Sequence, residues 1–219
     1  MDVEPLALSL RVALLATLLS LLGGVPLAWA LARRHVPARD VVSVLVVLPM
    51  VLPPTVLGYV LLVGLGRQSP IGRAIEDLVG SGIVFTPAAA VAAAFVAAAP
   101  FLVRSAQGAF EQVDATYEEA ARTLGRGEWA IFLTVATPLA WRGIVAGIAL
   151  CFARAVGEFG ATLMLAGNIP GRTQTASVAI YDAVEAGRLD QATLLAVALA
   201  LIAGAVLLLL ARVGRETRW

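Results

Sequence analysis

Five apolar stretches, residues 6 to 31, 41 to 65, 83 to 103, 139 to 166 and 192 to 213, run through this 219-residue chain. Each reaches the roughly 20 residues that a helix needs to cross a bilayer. Hydrocarbon offers no partner to a free backbone N–H or C=O, so spans of this kind must satisfy themselves as helices. The chain is 60% hydrophobic and 14% charged, where a soluble domain carries about one-quarter charged residues. The expectation is an all-α membrane protein with five transmembrane helices. Ala28-Trp29-Ala30 has the small-x-small form of a signal-peptide cleavage site, but acidic Asp2 and Glu4 lead the segment and its apolar run is too long, so it reads as a retained first span.

Cations sort the loops. All sixteen are arginine, because the chain has no lysine. Arg33, Arg34 and Arg39 follow the first span, Arg104, Arg122, Arg126 and Arg142 lie between the third and fourth, and Arg212, Arg215 and Arg218 end the chain. That side holds ten, against four on the other side: Arg67, Arg73, Arg172 and Arg188. Arginines near span ends are retained on the cytoplasmic face, which predicts an outward amino terminus and a cytoplasmic carboxyl terminus.

Several function classes fall away. A phosphate-cradling P-loop needs its lysine, so this chain is not itself an ATPase of that type. A net charge of +1 leaves no polyanion-binding surface, and nucleic acid is not an expected partner. One histidine, His35, and one cysteine, Cys151 in an apolar run, supply neither a catalytic nucleophile with its base nor a metal site. No catalytic residue, metal ligand or bound cofactor is assigned to the chain.

The longest polar interruption, residues 113 to 138, falls on the arginine-rich side. Asp114 or Thr116 can cap a helix there, and Thr116 with Glu119 has capping-box spacing. Val113, Tyr117, Ala120, Ala121 and Leu124 fall on one apolar face, with Glu118, Glu119 and Arg122 pointing elsewhere. Gly125 and Gly127 break the helix, and a second amphipathic run from Glu128, with Trp129, Phe132 and Leu133, leads to Pro138. Spacing alone fits equally an amphipathic hairpin lying among lipid headgroups with Trp129 as anchor.

Glu119-Ala120-Ala121, three residues, Gly125, twelve residues and Pro138 resembles the E-A-A-x-x-x-G motif of membrane subunits of binding-protein-dependent ABC importers. Val135 and Thr137 replace the isoleucine and leucine of the motif's I-x-L-P tail. The stretches "LPMVLPPTVLGYVLL", "EEAARTLG", "ARAVGEFGATLML" and "GNIPGRTQT" extend the resemblance over nearly the whole chain, nearest to permeases of the molybdate type, with those for sulfate and tungstate similar. The resemblance implies a single transmembrane domain over 1–219 in a bacterial cytoplasmic (inner) membrane. Within it, 113–138 would be a cytoplasmic coupling segment whose helix enters a groove of an ATP-hydrolysing subunit through Glu118, Glu119, Ala120, Ala121, Leu124, Gly125 and Pro138. The implied partners are a second copy of the chain in a homodimer, two cytoplasmic ATP-binding subunits that use ATP and magnesium, an external solute-binding protein, and an oxyanion substrate.

Two intramembrane features are candidates for the pathway or its gate. Pro49, Pro53 and Pro54 interrupt the second span beside Thr55, and broken backbone at that depth must be packed in protein or face a watery cavity. A kinked helix buried in packing is the alternative reading. Arg154 and Glu158 in the fourth span are spaced to pair with each other, and Arg154 equally supplies positive potential to an oxyanion route. Gly143, Gly147, Gly157, Gly160 and the alanine-rich run 88 to 99 are packing faces. "GNIPGRTQT" reads either as a dock for the solute-binding protein or as a plain turn. The rival to an ATP-driven permease is a secondary transporter driven by an ion gradient, in which Glu158 carries a proton; a non-transporting scaffold is a third reading.

Overall fold

The computed structural model describes residues 3–33 and 37–215. His35, Arg34 and Arg218 lie outside the described residues. Within them the chain is all-helical: α1 (Glu4–Ala32), α2 (Arg39–Val51), α3 (Pro54–Leu65), α4 (Pro70–Val79), α5 (Pro87–Gln112), α6 (Ala115–Thr123), α7 (Glu128–Ile131), a π turn (Phe132–Ala136), α8 (Thr137–Val156), α9 (Gly160–Ala166), α10 (Ala176–Glu185) and α11 (Leu189–Arg215). Four helices are long and apolar enough to span a membrane, namely α1, α5, the continuous run Glu128–Val156, and α11; a fifth span results if the bent pair α2 and α3 is counted as one.

α5 is the centre, packed against α1 on one side and α8 on the other. Its alanines explain why. Ala89, Ala90, Ala93, Ala94, Ala97 and Ala98 are all buried, a helical repeat of small side chains that lets neighbouring backbones come close. α8 answers with Gly143 and Gly147. An added Cβ on Gly143 would overlap the Ala109 methyl, and one on Gly147 would lie 3.1 Å from the Leu102 carbonyl oxygen. Lipid tails provide no hydrophobic drive between helices, so these close approaches, made of many small dispersion gains, hold the bundle.

The structure corrects two of the expected spans. The stretch 41 to 65 is not one helix but two, bent by 117° at Leu52 and Pro53. Leu52 is extended, at φ −69° and ψ 137°, as a residue before proline prefers, and Pro54 opens α3 where its missing N–H costs nothing. The three prolines therefore make one break rather than three: Pro49 sits inside α2. The stretch 139 to 166 is likewise divided. Its helix begins early, at Glu128, and ends at Val156; α9 follows a break at Gly157, Glu158 and Phe159.

The two short segments α3 and α9 pack on each other. Gly58 sits against α9 so closely that a Cβ there would be 2.7 Å from Met164 Cβ and 2.9 Å from Ala161 Cα, and Gly160 meets the Pro54 ring in the same way. Gly58→Ala is expected to lower stability by about 1–3 kcal/mol through overpacking. In a thermal-stability series of the purified chain, Gly204→Ala is the control, because a Cβ at Gly204 meets nothing within 4 Å; equal midpoints for the two variants would contradict the packing.

Candidate functional site

The polar hairpin is built as the sequence suggests, and one of its carboxylates turns into the bundle. Asp114 caps α6, its carboxylate accepting from the Thr116 N–H at 2.9 Å and from the Thr116 hydroxyl at 2.7 Å. The bond from the Thr116 N–H, followed by that from its hydroxyl, holds the Asp114 carboxyl below its ordinary value. That cap is therefore complete above the usual carboxylate range and is lost as pH falls through the depressed value. Gly125, at φ +77°, closes α6 in the left-handed region that favours glycine. Gly127 takes an extended conformation and caps α7.

Glu118, not the apolar side chains, faces the bundle. Its side chain is 1% exposed. One carboxylate oxygen accepts from Arg33 Nε at 2.8 Å and from Trp29 Nε1 at 3.3 Å, both near the end of α1. The Arg33 side chain is itself only 13% exposed and donates through Nη2 to the Val113 carbonyl. The other Glu118 oxygen lies 3.5 Å from Arg122, whose guanidinium grips Glu128 with two bonds of 2.6 and 3.0 Å and so ties α6 to α7. These bonds to Glu128 raise the Arg122 pKa further above its already high value. Under the hairpin, Phe132 is ringed by Trp29, Phe110 and Trp129 at centroid distances of 5.2, 6.2 and 5.7 Å.

This arrangement leaves most of the apolar face uncovered. Tyr117, Glu119, Ala120 and Leu124 are exposed, Leu124 to 83%, while Ala121 and Arg122 are half-buried with Glu118 beneath them. The physical reason is the charge at the foot of α1. A carboxylate that meets a guanidinium and an indole N–H gains more by turning inward than the small alanine face does. Arg33, Trp29 and Arg122 were not selected from the sequence as site residues; 85 positions separate Arg33 from Glu118, and no local spacing signals such a pair. Pro138 lies exposed in the first turn of α8, just after the π turn, where the Thr137 N–H reaches back to the Phe132 carbonyl. A π turn at this point accommodates a proline that cannot continue the usual bonding ladder.

A second constellation forms where the two helix breaks meet. Pro53, Pro54 and Thr55 are exposed at the start of α3, with Pro54 against Gly160. Arg154 and Glu158 pair at 2.6 Å, the arginine 29% exposed and the glutamate 1%. The other Glu158 oxygen accepts from the Ala161 N–H at 2.8 Å and so caps α9. The fold thus sets Pro54 against Gly160, two residues from Glu158 and its partner Arg154, while Pro49 lies inside α2. In the loop 167 to 175, Gly167 and Gly171 have positive φ, Gln174 donates to Asn168, and Asn168 donates to Asp182.

Glu118→Ala would leave Arg33 poorly paired in a mostly buried place, at a cost of about 3 kcal/mol. The expected readouts are a lower thermal midpoint and faster tryptic cleavage at Arg122 and Arg126, with Glu118→Gln intermediate because it still accepts from Trp29. Unchanged stability and cleavage in both variants would contradict the anchoring.

With this geometry in hand, likeness to other proteins is specific. Residues 24–215 match the family model of the binding-protein-dependent transport system inner membrane component. The chain is 42% identical over 217 residues to the molybdenum transport system permease protein ModB of Escherichia coli strain K12, covering 97% of this chain and 95% of that one. It is 44% identical over 195 residues to ModB of Azotobacter vinelandii, covering 89% and 86%. In fold it resembles an inward-facing MetNI methionine ABC transporter, with a TM-score of 0.76 at 19% identity, covering 99% of this chain and 96% of that one. The chain therefore belongs to the family of binding-protein-dependent transport system inner membrane components, multi-pass membrane transport subunits rather than enzymes.

Proposed function

We propose that the chain is the permease subunit of an ABC importer for molybdate, or for a close oxyanion such as tungstate or sulfate, working by alternating access driven by ATP hydrolysis in a partner subunit. The substrate class rests on the permeases that the chain matches over nearly its whole length. The mechanical part rests on one observation: α6 is fixed to the bundle by a buried carboxylate, while Tyr117 and Leu124 stand uncovered. An apolar helix face held rigidly away from its own core is shaped to enter a groove on another protein.

In this reading 113–138 is cytoplasmic, as the arginine asymmetry predicts, and α6 is the coupling helix. Tyr117, Glu119, Ala120 and Leu124 make the contact, Gly125 ends it, and Glu118 and Ala121 seat the helix on its own subunit. ATP and magnesium belong to the ATPase chains. Closure of two such chains would draw two α6 helices together, and Arg33 and Phe132 would pass the movement to α1 and to the span Glu128–Val156. Two copies of the chain supply the walls that one bundle of this size lacks for a hydrated oxyanion. The junction of Pro53, Pro54, Thr55 and Arg154 is the part of the pathway or gate that breaks helices at membrane depth, with Arg154 the source of positive potential and Glu158 holding it in place. A gradient-driven mechanism would give Glu158 a transport role of its own, whereas here it pairs with Arg154 and caps α9.

Coexpression with the cognate ATPase subunit tests the assignment. The complex is expected to copurify and to hydrolyse ATP faster when loaded with molybdate-bound solute-binding protein, and Tyr117→Asp is expected to weaken copurification roughly thirty-fold, the scale of a central interface residue. Glu119→Lys and Gly125→Pro are expected to abolish uptake while membrane insertion continues, the second because proline cannot adopt the positive φ of that position. Uptake by liposomes containing this chain alone under a pH gradient would contradict the proposal.

A further inference from the structure

The end of α1 opposite Arg33 carries a feature that coupling and translocation leave unused. Along α1, Arg11, Leu15, Leu18, Leu19 and Leu22 fall at helical spacing on one exposed stripe, while Ala13 and Ala16 are buried in the core. Between that stripe and α5 runs a groove of about 1000 Å³, with Val91 and Phe95 among its α5 residues. Its lining is apolar except toward the start of α1, where Glu4, Arg11, Arg172 and Gln174 are among the lining residues.

Arg11 lies inside the first span, seven residues past Glu4, or about 10 Å along the axis. An arginine at such a place is held by an anion or reaches for the interface. Among the described residues, neither Arg11 nor Arg172 has an acidic partner within ion-pair distance. Among the described lining residues, Glu4 against Arg11 and Arg172 leaves one excess positive charge. From Arg11 to Leu19 the apolar part extends about 12 Å, close to one leaflet, half of a hydrocarbon thickness of about 30 Å.

We propose that this groove is a binding site for an anionic phospholipid of the leaflet at the amino-terminal end of α1. The singly charged phosphodiester sits between Arg11 and Arg172, and an acyl chain lies along Leu15, Leu19 and Phe95. Charge, depth and apolar lining favour this occupant over a second copy of the chain.

Native mass spectrometry of the full chain, released from detergent after addition of phosphatidylglycerol or phosphatidylcholine with identical acyl chains, tests the site. Retention of one phosphatidylglycerol is expected, stronger than phosphatidylcholine by about fivefold per arginine. The double variant Arg11→Gln, Arg172→Gln should lose that headgroup preference while still holding either lipid weakly. Ala92→Phe, which fills the groove and keeps both arginines, should lose both lipids. Equal retention of the two lipids by the unaltered chain, or unchanged phosphatidylglycerol retention in both variants, would overturn the proposal. So would efficient disulfide formation between two copies carrying Leu15→Cys in native membranes, which would make a second copy the occupant.

Discussion

A buried carboxylate sets the orientation of the whole polar hairpin. Glu118 receives hydrogen bonds from Arg33 and Trp29 at the end of α1 and faces Arg122 in its own helix. Desolvating a charge is costly, and only dense pairing offsets it, so the carboxylate has few alternative places to go. Everything outward from it follows. With Glu118 inward, the helical period puts Tyr117, Ala120 and Leu124 outward, and the apolar surface that a lone hairpin would bury becomes the surface it offers.

The membrane part obeys a different economy. Its helices approach through glycine and alanine, with α5 between α1 and α8, and its exposed leucines and valines on α1, α2, α3 and α11 face the surroundings. Backbone is irregular in two places, after α2 and after α8, and the fold brings these together through Gly58, Gly160 and Pro54. Each break would be costly alone in lipid. Side by side, α3 and α9 cover one another, and the ion pair of Arg154 with Glu158 stands where the second chain segment turns, with Glu158 also closing the first turn of α9.

How far the sequence speaks depends on whether the signal is local. Apolar run length identified α1, α5 and α11 within a few residues at most boundaries, because lipid fixes helix length directly; α5 alone continues well past its apolar part, to Gln112. Pro53 and Pro54 announced the break after α2 but carried no information about its 117° angle, which depends on packing against α9. The break at Gly157 to Phe159 was hidden, since hydropathy continues across it and Glu158 at four residues from Arg154 looks helical. The pairing of those two charges was legible and the loss of helix was not. For the hairpin, Asp114 as one of two cap candidates, the glycine stop and the second helix were readable from spacing; the Thr116 and Glu119 capping box does not form, because Thr116 lies inside α6 and both its N–H and its hydroxyl donate to Asp114. Its orientation was not, because Arg33 lies 85 residues from its partner and only the fold brings them together.

The central claim is that α6, seated through Glu118, presents its outward face to a nucleotide-hydrolysing partner. Photo-crosslinking in living cells measures this most directly, with a photoreactive residue at position 124 or, as the inward control, at position 121. A crosslink from 124 to the ATPase chain is expected, strengthened when nucleotide hydrolysis is blocked, with little from 121. Crosslinks from 124 only to lipid or to other parts of the same chain, or labelling of this face by impermeant reagents added outside intact cells, would contradict it.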